Sequence, residues 1–213
     1  MEEPRHRIGR LHVITDTSIQ RRFSHIEIAR LAVEGGADTI QLRDKLLNTK
    51  ELLRIGEKIK RLCEEHGVQF IVNDRVDIAF ALGADGVHLG QEDLNIGIAR
   101  RIIGKGIIGG SAGNLEELRN SITQGADYIG FGPIFQTGTK ADAGPPVGLD
   151  SLREVVQISP VPVIAIGGIT VQNAEEVLLC GAHGIAVVSS VVCAEDPREE
   201  TRRLKEIVES SSI

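Results

Sequence analysis

Short aliphatic runs alternate along this chain with stretches of helical period. The runs are Leu11–Thr15, Thr39–Leu42, Gln69–Val72, Gly86–Leu89, Ile107–Gly110, Tyr128–Phe131, Val161–Ile166 and Ile185–Val188. They are nearly continuous in apolar residues, as expected of parallel strands buried on both faces. Between them, segments such as Glu51–Glu64 and Leu115–Gln124 carry the 3.6-residue period of amphipathic helices. Ser24 with Glu27, Asn48 with Glu51 and Asn114 with Glu117 have capping-box spacing and predict helix starts. An internal echo organises the series: GGADTIQL, LGADGVHL, QGADYIGF and CGAHGIAV. The aligned glycines are Gly36, Gly83, Gly125 and Gly181, each separated from the next by about two strand–helix units. Each predicts a helix that ends in a left-handed cap and turns into a strand, through Ala-Asp in the first three copies and Ala-His in the fourth. Four copies of one joint fit a closed α/β barrel of eight strand–helix units, a single-domain (βα)8 TIM barrel. An open doubly wound sheet uses the same units and is the alternative.

The 213 residues suffice for one such barrel over residues 1–213, with residues 1–9 and 210–213 expected as flexible termini. With no Trp, one Tyr and five Phe, the core must be aliphatic. A formal net charge of −6 argues against a nucleic-acid-binding face but allows a local anion site. The longest apolar stretches are half the length of a membrane span, and MEEPRHRIGR lacks the apolar region of a signal peptide. A cytoplasmic protein with no membrane partner is expected, and a homo-oligomer is allowed. Cys63, Cys180 and Cys193 show no CxxC spacing, which argues against a disulfide framework or a zinc site.

Chemistry in a barrel sits at the C-terminal ends of the strands. After the second strand, alternation places Gln41, Arg43 and Lys45 on one face, where two cations suit a multiply charged phosphate. The plain alternative is a solvated loop with Arg43 salt-bridged to an aspartate. After the third and fourth strands stand Asn73-Asp74 and Asp93. Each aspartate alone reads as a helix cap. As a pair beside a cationic strand they suit Mg²⁺, completed by water and substrate phosphate. Ser111 ends the fifth strand and could donate to a phosphate or heteroaromatic ligand. His88, inside a strand, reads as a packed or supporting group rather than a base. The loop GPIFQTGTK holds Thr137, Gly138, Thr139 and Lys140 and is long enough to close over a ligand. Gly167-Gly168 after the seventh strand and Val188-Ser189 after the eighth suit a monophosphate cradle of backbone amides. Two anion regions result, one for a diphosphate and one for a monophosphate. No Ser-His-Asp or Cys-His arrangement suggests a covalent intermediate.

The motifs QLRDK, NDRVDIAFALGADGVHLGQEDL, GPIFQTGTK, AIGGI and VVSS together resemble the thiamine-phosphate synthase family over nearly the whole chain. The resemblance implies a transferase that joins 4-amino-2-methyl-5-hydroxymethylpyrimidine diphosphate to 4-methyl-5-(2-phosphoethyl)thiazole. The products are thiamine monophosphate and pyrophosphate, formed by dissociative substitution with Mg²⁺-assisted departure of pyrophosphate. It assigns Gln41, Arg43, Lys45, Asn73, Ser111 and Lys140 to the pyrimidine diphosphate, with Arg43, Lys45, Ser111 and Lys140 in catalytic roles. It assigns Asp74 and Asp93 to Mg²⁺. Thr137, Gly138, Thr139, Gly168, Val188 and Ser189 fall to the thiazole phosphate. The chain departs from the family pattern at Gln136, where Pro is usual, and at Gly113, where His is frequent. A thiazole tautomerase-like isomerase and a non-catalytic binder of thiamine-pathway phosphates are the alternatives; Asp74 with Asp93 and the missing His argue against the tautomerase.

Overall fold

The computed structural model describes residues 7–138 and 144–211. Eight strands, all parallel, close into a barrel in chain order: β1 Leu11–Thr15, β2 Thr39–Leu42, β3 Gln69–Asn73, β4 Gly86–Leu89, β5 Ile107–Ala112, β6 Tyr128–Phe131, β7 Val163–Ile166 and β8 Gly184–Val187. Closure runs through β1 and β8, with Leu11 opposite Ile185. Helices α1 His25–Glu34, α2 Thr49–His66, α3 Val76–Leu82, α4 Ile96–Ile103, α5 Leu115–Thr123, α6 Gly148–Ile158, α7 Ala174–Leu179, α8 Ser189–Val192 and α9 Pro197–Ser210 follow the strands. The expected strands are all present. β7 begins at Val163 rather than Val161, after Pro162, which lacks the N–H that a ladder needs. β8 lies one residue earlier than its apolar run suggested.

The four echoed joints form as expected and precede β2, β4, β6 and β8. Gly36, Gly83, Gly125 and Gly181 all have positive φ, from 58° to 96°. The aspartate of the echo has a structural role that the motif alone did not reveal. Asp38 Oδ2 accepts from Leu11 N at 2.9 Å, Asp85 Oδ2 from Phe70 N at 2.7 Å, and Asp127 Oδ2 from Ile108 N at 2.8 Å. Each carboxylate thus ties the entrance of one strand to the strand before it, at the end of the barrel opposite the chemistry. In the fourth copy His183 replaces the aspartate, and its ring bonds Ile8 O at 2.9 Å.

Ser24 and Glu27 form the full reciprocal capping box. At Asn48 and Asn114 only the forward half forms. Glu51 turns to Asn48 Nδ2, and Glu117 accepts from Gly113 N and Asn114 Nδ2 instead of from the cap's own N–H. An aliphatic layer between strands and helices holds most of the core, including Leu11, Ile40, Phe70, Val87 and Ile129. A smaller inner cluster of Ile8, Ile14, Ile71, Ile107, Tyr128 and Ile164 plugs the barrel. Ile8 is buried and Gly9 N donates to Gln69 Oε1 at 3.0 Å. That part of the expected flexible N-terminus is therefore held against the barrel. No helix of the described residues is long and apolar enough to cross a membrane.

Candidate active site

Register decides which side chains enter the barrel. Gln41 pairs with Ile14 and Ile71, both in the inner cluster, so it shares their inward face. Asn73 pairs with His88, and His88 with Gly109, which pairs with the inward Tyr128. Ser111, two residues after Gly109, has the same parity. Gln41, Asn73, His88 and Ser111 thus line the C-terminal mouth from four adjacent strands.

The two aspartates meet there. Asp74 follows β3 with φ 62°, the one positive φ among the described non-glycine residues. Aspartate tolerates this left-handed conformation better than most residues. It lets Asp74 N donate to His88 O at 2.8 Å while the carboxyl turns toward that of Asp93. Asp93 is aimed by Gly90 N, which donates to its Oδ2 at 2.6 Å. Burial, and then the Asp93 carboxyl, push Asp74 up to about 6. Two carboxyls in contact require either a shared proton or a cation between them. Oxygen ligands of this kind suit Mg²⁺. Among the described residues no group of three His, Cys, Asp or Glu could hold a metal, so the remaining ligands would come from water and substrate.

The cations converge on the same spot. Lys45 Nζ lies 3.9 Å from Asp74 Oδ2, and Arg43 adds to the positive field there. Arg43 also pairs with Asp16, a buried carboxylate just past β1 that accepts from Ser18 N and Oγ as well. The structure therefore brings Arg43 to the mouth and also gives it the salt bridge of the plain alternative. Asp44, between the two cations, is fixed from below. Its Oδ2 meets His25 Nε2 at 3.0 Å, and its Oδ1 accepts from Leu46 N and Leu47 N. Despite burial, these bonds hold the Asp44 carboxyl below its ordinary range. Asp16, His25 and Asp44 were missed in the sequence, although Asp16 sits where the strand-end rule directs attention.

Ser111 Oγ meets His88 Nε2 at 2.9 Å, and His88 Nδ1 meets Tyr128 Oη at 3.0 Å. Gln91 Nε2 donates to Ser111 O at 2.5 Å. His88 thus lies between Ser111 and Tyr128, inside the strand as the sequence placed it.

On the far side of the mouth, Gly167 and Gly168 have φ of 100° and 67°. A Cβ on Gly167 would stand 2.5 Å from Pro133 Cβ, and one on Gly168 2.7 Å from Phe135 Cβ and 2.8 Å from Gln136 O. Ile134 N donates to Ile166 O and Phe135 N to Gly167 O. The glycines therefore seat the loop after β6 against the loop after β7, a reason for them that the sequence did not show. Thr137 and Gly138 continue that loop. Val188 packs on the inner cluster, and Ser189 opens α8. Thr139 and Lys140 lie outside the described residues.

Comparison with known proteins shows the family. The family described as thiamine monophosphate synthase matches residues 11–191. A thiamine-phosphate synthase of Methanocella arvoryzae is 53% identical over 199 residues, covering 93% of this chain and 94% of that protein. One from Chloroflexus aurantiacus is 46% identical, covering 93% and 92%. The solved thiamine phosphate pyrophosphorylase from Pyrococcus furiosus superposes with a TM-score of 0.88 at 45% identity, covering 95% of this chain and 96% of that one. A 3-hexulose-6-phosphate synthase, at 20% identity and a TM-score of 0.71, shares the fold alone. With the paired aspartates, the converging cations and these relatives together, the chain belongs to the thiamine monophosphate synthase family.

Proposed function

We propose that this chain joins the pyrimidine diphosphate to the thiazole phosphate to give thiamine monophosphate and pyrophosphate. The observation that carries the site assignment is the Asp74–Asp93 pair, with Lys45 3.9 Å away and Arg43 beside it. A diphosphate seated there meets cations on one side and a metal-binding carboxylate pair on the other. Mg²⁺ held by Asp74 and Asp93 would offset the charge of the diphosphate oxygens. Arg43 grips phosphate oxygens as a planar fork held by Asp16, and Lys45 adds a compact charge. By motif, Lys140 belongs to this diphosphate seat and Thr139 to the thiazole phosphate. Gln41 and Asn73 project from β2 and β3 to orient the pyrimidine, and Ser111 supplies a hydroxyl.

The C–O bond to the diphosphate breaks first, and the bond from the methylene to the thiazole nitrogen forms next. The electron-rich aminopyrimidine stabilises the intervening cation. The protein's share is then positioning and stabilisation of the leaving charge. Thr137, Gly138, Gly168, Val188 and Ser189 hold the thiazole phosphate across the mouth.

The test is pyrophosphate release from the two purified substrates, with Mg²⁺ and with EDTA. Release should require both substrates and the metal. Asp93→Asn should lower turnover by about tenfold to a hundredfold or more and raise the Mg²⁺ requirement. Turnover near that of the parent protein in Asp93→Asn would discard the metal assignment.

A further inference from the structure

Tyr128 stands at the inner face of β6, fully buried, with its hydroxyl 3.0 Å from His88 Nδ1. Two glycines make room for this pair. A Cβ on Gly109 would lie 2.2 Å from Tyr128 Cζ and 2.4 Å from His88 Nδ1, and one on Gly130 2.9 Å from His88 Cε1. Both neighbouring inward positions on β5 and β6 are thus kept empty for the two rings. The tyrosine oxygen has no other hydrogen-bond partner among the described residues. If Nδ1 carried the proton and donated to it, the phenolic hydrogen would be buried with nothing to accept it, a costly arrangement. The phenol is therefore the donor, and burial pushes its ionisation upward, so it keeps its proton. Nδ1 is then the acceptor, and the ring proton sits on Nε2, 2.9 Å from Ser111 Oγ. Ser111 Oγ accepts that proton, and its own O–H turns away from His88.

We propose that Tyr128 is a positioning residue: through His88 it sets the direction of the Ser111 hydroxyl, so that Ser111 presents a hydrogen-bond donor to an acceptor atom of the pyrimidine diphosphate. This rests on the assignment of Ser111 to that substrate. The preference is built into the barrel before any ligand arrives. It selects an acceptor atom, such as an unprotonated ring nitrogen or a phosphate oxygen, over a donor at the same place. Without the phenol, Nδ1 loses its donor and the ring loses its anchor at that end. The imidazole then turns, Nε2–H no longer holds Ser111 Oγ, and the hydroxyl is no longer aimed at the substrate.

The test combines kinetics and ¹⁵N NMR of the whole protein. In the parent protein His88 should be the Nε2–H tautomer. Tyr128→Phe should keep the Nε2–H form, move the Nδ1 resonance to that of a nitrogen accepting no hydrogen bond, and raise KM for the pyrimidine diphosphate about tenfold. KM for the thiazole phosphate should stay within twofold, a split that general loosening of the barrel would not produce. Ser111→Ala should raise the same KM by a similar factor, and the double variant should be no worse than either single one. If Ser111→Ala leaves that KM unchanged, the assignment of Ser111 to the substrate fails. If Ser111→Ala raises it while Tyr128→Phe does not, the tyrosine relay fails and the site assignment stands. Should Tyr128→Phe not fold, the parent protein decides: an Nδ1–H tautomer at His88 overturns the relay.

Discussion

Two titratable residues inside the barrel are shifted in opposite senses. His12 is buried beneath Tyr128, with ring centroids 5.4 Å apart, and its Nε2 bonds Gly9 O at 3.0 Å. Burial lowers it from 6.5 to about 4. The unfolded chain therefore binds a proton between about pH 6.5 and 4 that the folded chain refuses, so this residue's contribution to stability is lost as pH falls through that window. The full effect is on the order of 3 kcal/mol. Asp74, raised to about 6, works the other way: its folded form holds a proton more readily than the unfolded chain, so its contribution falls as pH rises from about 4 to 6. The parent protein's pH profile mixes the two. The difference profile between the parent and His12→Gln isolates the first. Chemical unfolding at pH 4.5 and 7.5 should show His12→Gln losing less stability on acidification than the parent protein. An equal loss in both would remove His12 from the acid limb.

At the scale of elements, glycines with the same φ sign serve different ends. Gly67 caps α2 at φ 66°, ψ 28°, and a Cβ there would meet nothing within 4 Å. Gly67→Ala should cost only the left-handed strain, about 1–2 kcal/mol, with unchanged kinetics. At Gly168, with φ 67°, an added Cβ would stand under 3 Å from Phe135 Cβ and Gln136 O. Gly168→Ala should incur a similar strain and also displace the loop carrying Thr137 and Gly138. The melting temperature should fall further than for Gly67→Ala, and KM for the thiazole phosphate should rise about tenfold. Equal KM values for Gly168→Ala and the parent protein would mean that the loop does not depend on this seat.

The whole molecule separates stability from chemistry along the barrel axis. Asp38, Asp85 and Asp127 tie the strand entrances together, while Asp74 and Asp93 face each other at the strand exits. Asp85→Ala strips the bond to Phe70 N and should cost about 1–3 kcal/mol, read as a fall in melting temperature of several degrees. Both KM values and turnover should remain near those of the parent protein. A variant that keeps its melting temperature and loses turnover would break this division.

Much of this was legible in one dimension. Strand positions follow from local hydrophobic runs, and the alternation with helical segments implies parallel strands, because a crossover of that length cannot join antiparallel neighbours tightly. The repeated Gly-Ala-Asp joints are local backbone features, so they too could be read directly. Candidate residues at strand ends were legible because inward and outward positions alternate with period two. The tertiary structure decided what depends on closure. It made β1 and β8 neighbours, and by pairing β1 with β2, Thr15 opposite Leu42, it set Asp16 beside Arg43, residues 27 positions apart. It turned the echoed aspartates into ties between strands and gave Gly168 a loop to face. It also placed His88 between Ser111 and Tyr128, bonds that span 23 and 40 residues. Periodicity carries local conformation, whereas these contacts arise only when distant segments are brought together by the closed sheet.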